Sequence, residues 1–357
     1  MRIALITDAW APQVNGVVTT LTRTCRTAEA MGHELRVISP SLFRTVPCPT
    51  YPSIRLALRP GPRLARELSD FDPQAVHLPT EGPLGLAGRA WCLKHDFPFT
   101  TAWHTRFPEY VQLRTRLPVG VSYAWLRRFH RPAVRTLVST ETQRRELREH
   151  GFGELVIWGR GVDTAQFQPY GKNIYDLPRP ISLYAGRVAV EKNLEAFLRL
   201  ELPGSKVVIG DGPDLPGLRK RYPQVTFTGF RSGEDLARHI AGGDVFVFPS
   251  RTDTYGLVML EAMACGLPVA AFRVPGPQDV VRPGRTGVLD DDLARAVHAA
   301  LALDPQDCIQ QAREHSWEAA TRIFLGHLAP VDGSPAGQPG EAALPDLPRA
   351  VGDGRER

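Results

Sequence analysis

Two carboxylates, Asp253 and Glu261, stand eight positions apart in the stretch RTDTYGLVMLEAMACGLPVAA (251–271). The residues between them are mostly apolar, and Gly266 and Pro268 mark a stop, so the pattern predicts a helix over 255–265. Eight residues cover a little over two turns, which puts both acids roughly on one face, about 12 Å apart at most along the axis. Carboxylates that act on one glycosidic bond lie closer, about 5–9.5 Å apart. Acids separated by the length of a diphosphate suit instead a grip on hydroxyls at the two ends of a nucleotide sugar, with the free amides of Gly256 and Leu257 turned to the phosphates. The competing reading makes Asp253 an N-cap and Glu261 one half of a salt bridge. An acid inside an apolar helix is costly unless paired, which favours the ligand.

A second cluster fits the same ligand. YAGRVAVEKN (184–193) sets Arg187 and Lys192 just beyond an apolar run, where two cations can neutralise a diphosphate leaving group. No Asp-x-Asp pair has metal-site context, and Asp290, Asp291 and Asp292 read as a solvated helix start. The chemistry is therefore expected to need no metal and no cofactor beyond a nucleotide-sugar co-substrate.

The elements that must hold these groups alternate strand and helix twice over. IALIT (3–7), ELRVISP (34–40), AVHL (75–78), FPFTTAWH (97–104) and LVST (137–140) form one series, with a helix from Val17 to about Met31 and another over ETQRRELREH. ISLYAGR (181–187), KVVIGDG (206–212), VTFTGF (225–230), DVFVFPS (244–250) and LPVAAF (267–272) form the next. Apolar strands spaced by helices imply parallel sheets covered on both faces, an α/β class with two doubly wound Rossmann-like domains facing across a cleft. The expected division is a domain over 1–158, a Gly- and Pro-rich linker over 159–180, a domain over 181–315, a docked helix over 316–329 and a disordered tail over 330–357.

At 357 residues with 43% hydrophobic and 23% charged content, the chain has the composition of a two-domain globular protein. No run is long and apolar enough to span a bilayer, and MRIALITDAW lacks the features of an export signal, so a cytoplasmic location is expected. The five cysteines are scattered with no Cys-x-x-Cys, which argues against zinc and against a disulfide framework. Residues 1–170 carry 22 Arg and Lys against 14 Asp and Glu, and the remainder carries 21 against 24. A basic first half points to an anionic surface or substrate. Within it, RFPEYVQLRTRLPVGVSYAWLRRFHRPAVR (106–135) mixes Arg with aromatic and aliphatic residues, as a segment resting on anionic lipid at the inner face of the cytoplasmic membrane would; a basic helix pair packed on the domain is the alternative. Nucleic acid is excluded as a partner, since no binding motif or stacking platform accompanies the charge.

The Asn15-Gly16 loop, AWHTRFPEY (102–110), GRGVDTAQFQP (159–169), GRVAVEKN (186–193), IGDGP (209–213) and DTYGLVMLEAMACGLPVAA (253–271) together resemble the retaining glycosyltransferases of family 4, which have the GT-B fold. The resemblance runs from Met1 to about Leu328. It implies that Arg187 and Lys192 bind the donor diphosphate and stabilise the charge that develops on it. It implies too that Glu261 holds the ribose, and that Asp253, where the family more often has Glu, contacts the transferred sugar. Tyr255, Gly256 and Leu257 would offer backbone amides, Gly16 would admit the diphosphate closely, and His104 would lie near the sugar, unless it is only a hydrogen-bonded histidine ending a strand. Thr80, Glu81 and Tyr110 are expected on the acceptor side. The pattern looks most like bacterial GDP-mannose-dependent α-mannosyltransferases and is similar to enzymes that move sulfoquinovose or glucuronate from UDP-sugars to diacylglycerol. The implied reaction is hexosyl transfer to a lipid or glycan acceptor with retained configuration. A non-catalytic nucleotide-sugar-binding protein and a sugar-nucleotide epimerase are the rivals.

Overall fold

The structure, a computed structural model of the chain, describes residues 1–13, 15–48, 51–104, 108, 118–253 and 255–331. Tyr110, the part of the basic and aromatic segment before residue 118 apart from Pro108, and the tail beyond 331 lie outside the described residues. The chain divides into two compact units. Unit 1 holds Met1–Gly161, Thr252–Leu257 and the stretch beginning at His315; unit 2 holds Val162–Arg251 and Val258–Glu314.

Unit 1 runs β1 (Arg2–Ile6), α1 (Gly16–Ala30), β2 (Glu34–Ile38), β3 (Thr45–Cys48), β4 (Tyr51–Ala57), α2 (Gly61–Phe71), β5 (Ala75–Leu78), α3 (Pro83–Lys94), β6 (Phe99–Trp103), α4 (Val119–His130), β7 (Arg135–Val138), α5 (Glu141–Glu149) and β8 (Leu155–Ile157). Its main sheet has the order β2-β1-β5-β6-β7-β8, with every pairing parallel. Alternate side chains of β1 feed two cores: Ile3 and Leu5 pack with Leu21 and Phe324, whereas Ala4 and Ile6 pack with Leu64 and Leu84. That two-sided burial explains why β1 reads as an unbroken apolar run.

Unit 2 runs β9 (Ile181–Ala185), a 3-10 turn (Val190–Lys192), α6 (Leu194–Leu198), β10 (Ser205–Ile209), α7 (Leu215–Arg221), β11 (Thr226–Gly229), α8 (Gly233–Ala241), β12 (Val245–Phe248), α9 (Leu257–Ala264), β13 (Val269–Ala271), α10 (Pro277–Val280), β14 (Gly287–Leu289), α11 (Leu293–Ala300) and α12 (Pro305–Glu314). The sheet order is β11-β10-β9-β12-β13-β14, again parallel throughout. The last helix, α13 (Trp317–His327), returns to unit 1, where Phe324 and Leu325 enter the core below β1 and α1.

Three features depart from the sequence reading. The antiparallel β3–β4 hairpin, which pairs Thr45 with Ala57 and Pro47 with Arg55, has no counterpart among the predicted strands. Strands β8 and β14 were not foreseen, being three residues each. The helix expected over 255–265 begins only at Leu257, because Gly256 has φ 78°, a left-handed conformation no α-helix contains. Asp253 therefore sits four residues ahead of the helix, neither its N-cap nor on its face, and the helical spacing argument for the two acids does not hold. The triple-Asp run does open a helix: Asp292 accepts from the amides of Ala294 and Arg295 at the start of α11, and Asp290 pairs with Arg295.

Candidate active site

In unit 2 the strand order reverses between β9 and β12, since the chain proceeds from β9 outward to β10 and β11 and then returns to β12 on the other side. Loops at the carboxyl ends of such a strand pair diverge and leave a crevice, the usual ligand site of open α/β sheets. Arg187 and Lys192 follow β9; the segment from Pro249 to Glu261 follows β12. Arg187 is exposed, and Lys192 and Glu261 are half-buried. The two loops are tied together: the Asn193 side-chain amide donates to the Pro249 carbonyl at 3.0 Å, with Asn193 itself in the left-handed region at φ 53°.

A glycine pair sets the height of the Arg187 loop. Gly186 N donates to the Ile209 carbonyl and Val188 N to that of Asp211, both at 2.9 Å. This close backbone approach leaves no room for a Cβ at Gly210, which would lie 1.9 Å from the Gly186 oxygen. The glycines of IGDGP are thus spacers for the β9 loop. The Tyr184 hydroxyl donates to the Arg187 carbonyl at 2.9 Å and holds the loop from below.

Helix α9 starts at Leu257, so its first amides have no intrahelical acceptor and face outward as donors with the positive end of the helix dipole. Glu261 lies one turn further on, and its charge, after burial, helps push the Cys265 thiol up to about 12. Tyr255 is buried, whereas Asp253 and Gly256 are half-buried.

The sheet of unit 1 reverses between β1 and β5. Asp8, beyond β1, and Thr80, beyond β5, meet there. The Thr80 hydroxyl donates to Asp8 Oδ2 at 3.0 Å and accepts from the Asp8 amide at 2.8 Å, while Asp8 Oδ1 accepts from Leu84 N at 3.0 Å at the start of α3. Burial is the largest influence on the Asp8 carboxyl and raises its pKa above the usual value, against the backbone amides that favour the anion. Thr80 is thus committed to Asp8. Glu81 is held 3.2 Å from His130 Nε2, and His130 Nδ1 lies 2.9 Å from the Thr101 hydroxyl. Gly16 is the first residue of α1, behind the N-cap Asn15, whose side chain accepts from Val17 N and Val18 N. A Cβ at Gly16 would meet Leu257 Cδ1 at 3.9 Å and no other atom within 4 Å among the described residues.

His104, one residue past β6, is half-buried. Arg160 donates to its Nδ1 at 3.2 Å. A guanidinium only donates, so Nδ1 accepts and the ring proton sits on Nε2. Burial first, then the Arg160 charge, holds the imidazole well below its ordinary pKa, so the ring is neutral. Arg160 is buried, lies over the Trp158 ring at 4.6 Å and donates to the Trp158 carbonyl at 2.6 Å; burial lowers it to about 10. Tyr255 is close enough to act on that charge. The sequence reading gave Asp8 and Arg160 no role. Asp8 carried a signal, an acid just beyond a strand at a carboxyl edge; Arg160 stood within the GRGVDTAQFQP motif, but nothing in the sequence joined it to His104, 56 positions away.

Of the residues singled out from sequence, the structure thus groups Arg187, Lys192 and Glu261 in unit 2. Gly16, Thr80, Glu81, His104, Asp253, Tyr255, Gly256 and Leu257 fall in unit 1. Among the described residues no group of three or more His, Cys, Asp or Glu is disposed to hold a metal ion. No described helix is long and apolar enough to cross a membrane.

Residues 14–166 match the family described as Glycosyltransferase Family 4, and residues 179–303 match Glycosyl transferases group 1. A GDP-mannose-dependent alpha-mannosyltransferase of Mycobacterium tuberculosis is 30% identical, over 93% of this chain and 97% of its own length. A sulfoquinovosyl transferase of Arabidopsis thaliana is 32% identical, over 80% of this chain and 58% of its own. Among solved structures, sucrose-phosphate synthase from Thermosynechococcus elongatus shares the fold, with a TM-score of 0.74 at 22% identity over 90% of this chain and 97% of that one.

Proposed function

This chain belongs to glycosyltransferase family 4, and on that premise we propose that it transfers mannose from GDP-mannose to a lipid or glycan acceptor with retained anomeric configuration. The class is not in question: the chain is a hexosyltransferase of GT-B fold that uses a nucleotide sugar. The observation that supports a nucleotide-sugar donor is that Arg187 and Lys192 follow β9 at the strand reversal of unit 2, and the similarity to GDP-mannose-dependent relatives supports mannose. Two cations beyond a strand at such a reversal suit the negative charge of a diphosphate.

In this reading Arg187 and Lys192 stabilise the negative charge that grows on the departing diphosphate, where preorganised cations act most strongly. The amides from Gly256 and Leu257 add donors. Glu261, one turn into α9, accepts from the ribose hydroxyls; Asp253, Tyr255 and Gly256 are assigned to the transferred sugar. His104 offers a neutral Nε2–H to a sugar hydroxyl, a donor that stays neutral through physiological pH because burial and Arg160 both oppose protonation. The open space beside Gly16 suits a group that must approach the backbone closely. Thr80, Glu81 and Tyr110 are assigned to the acceptor side. There Thr80 acts by holding Asp8, and Glu81 keeps a carboxylate oxygen on His130. No metal takes part in this scheme.

A second reading, transfer from a UDP-sugar to a glycolipid, is favoured by the sulfoquinovosyl relative and by an alpha-monoglucosyldiacylglycerol synthase of Streptococcus pneumoniae that is 27% identical over 91% of this chain. A lipid acceptor would bring the chain to an anionic membrane face as a peripheral protein. The exposed Val121 and Trp125 on α4, beside Arg127 and Arg128, support that contact.

The test is incubation of the purified protein with radiolabelled GDP-mannose, UDP-glucose or UDP-glucuronate and a bacterial lipid extract. Label should move from GDP-mannose into an extractable α-linked product with wild type and not with Glu261→Ala. Label moving from none of the donors, or equally with both proteins, would reject the assignment.

A further inference from the structure

Arg89 of α3 reaches the last turn of α4, and there the surface of unit 1 holds a pocket of about 570 Å³ lined by Arg89, Arg127, Arg128 and Arg131 with Ala124 and Pro132. Two of the four arginines are anchored. Arg89 donates through Nε to the Phe129 carbonyl at 3.0 Å and through a terminal nitrogen to the Arg128 carbonyl at 3.1 Å, and Arg127 donates to the His150 carbonyl at 2.8 Å. Arg128 and Arg131 are exposed. All three anchors are neutral carbonyls, and among the described residues none of the four guanidinium groups forms an ion pair with a carboxylate. Glu154 and Gly151 line the adjoining pocket, which Arg127 and Arg131 share, and Glu154 stays outside ion-pair distance of both.

Four positive charges around one pocket repel each other. Arg89 registers it: burial first, then the Arg128 charge, lowers its pKa. The C-terminal dipole of α4 offsets part of the charge, but a helix end carries only about half an elementary charge, against four guanidinium groups. The pocket therefore has a large positive excess, with two donors fixed in place and two on movable arms. Guanidinium forks match the oxygens of phosphate in pairs, so this is a geometry that binds a phosphate group.

We propose that the α3–α4 pocket is a phosphate-binding site, separate from the donor site, which takes the phosphate of a ligand other than the nucleotide sugar. It lies where α4 leads into β7, at the amino edge of the unit 1 sheet, whereas Gly16, Thr80 and His104 follow β1, β5 and β6 at the carboxyl edge. The phosphate could be a phospholipid headgroup or a soluble phosphate ester; the chemistry recognised is the same.

The experiment has two arms, each run on wild type, on Arg128→Ala/Arg131→Ala and on Arg187→Ala. In the first, glycerol 3-phosphate is titrated calorimetrically at low salt. In the second, the protein is floated with vesicles of phosphatidylglycerol and phosphatidylcholine in equal parts, and with phosphatidylcholine alone. Wild type and Arg187→Ala should bind at least one phosphate probe. The double variant, whose two exposed side chains are not needed for folding, should bind it about tenfold or more weakly while melting at the wild-type temperature. Binding of glycerol 3-phosphate assigns a soluble ester; binding only of the phosphatidylglycerol vesicles assigns a headgroup. The proposal is overturned if wild type binds neither probe, if the double variant binds as tightly as wild type, or if Arg187→Ala alone abolishes binding.

Discussion

Replacing Gly210 by alanine should disable the site from a residue that never touches substrate. Gly210 has φ 138°, a region L residues rarely adopt, which costs about 1–3 kcal/mol for a non-glycine. Its new Cβ would lie 1.9 Å from the Gly186 oxygen, and Cβ atoms do not approach within 3.0 Å of another atom, so the two loops must part by about 1.1 Å. Arg187 follows Gly186 directly and moves with it. A displacement of about 1 Å in a reacting geometry costs on the order of 100-fold. The assay is kcat/KM for sugar transfer together with thermal melting, with Gly217→Ala as control. Gly217 sits in α7 with nothing within 4 Å of its Cβ position, and alanine there should stabilise by up to about 1 kcal/mol. The reasoning is refuted if Gly210→Ala melts and turns over like wild type, or loses no more than the Gly217 control.

Three further outcomes are expected. His77 is fully buried, accepts or donates at Nδ1 with Thr100 at 2.8 Å, and is held by burial at a pKa of about 3. Its depressed value means that stability is intact above the unfolded-state pKa near 6.5. It is lost as pH falls toward 3, at about 1.36 kcal/mol per pH unit; urea unfolding of His77→Gln across this range should show an acid slope shallower by about one proton, and an unchanged slope would contradict the linkage. In Arg160→Met the His104 ring should titrate at higher pH by NMR than in wild type, yet remain below an exposed histidine because burial persists; no change would show that Arg160 does not set its charge. Cys25, Cys92, Cys265 and Cys308 are buried with thiols pushed up to about 12, while Cys48 is half-buried, so a disulfide reagent should titrate one thiol in the native protein and five after denaturation.

The parallel strands were legible because burial on two faces writes each of them as a short apolar run, and β5, β9 and β12 fall within the runs that predict them. The β3–β4 hairpin was not legible, because Pro47 and Pro52 fall inside its strands, where proline argues against a strand except at a sheet edge. The placement of two candidate cations was legible, because both lie in one loop: Arg187 and Lys192 stand beyond β9 as their position in the sequence implies. The helical link between Asp253 and Glu261 failed at a single residue, since a glycine inside an apolar run reads as tolerated within a helix until its positive φ is known. Arg160 and His104 could not be joined from sequence, because their contact depends on the tertiary placement of β6 against the end of β8. The glycines of IGDGP were visible as a motif, but their work as spacers against the Arg187 loop emerges only from the packing of β9 on β10.

The central claim is that the strand reversal of unit 2 binds the nucleotide diphosphate of the donor. Calorimetric titration of GDP and of UDP into wild type, Arg187→Ala and Glu261→Ala tests it most directly. The account predicts binding of GDP in preference to UDP by wild type, weakened about tenfold or more in each variant, as loss of a charge-assisted contact requires. Binding of neither nucleotide at millimolar concentration, or equal binding by wild type and both variants, would contradict it.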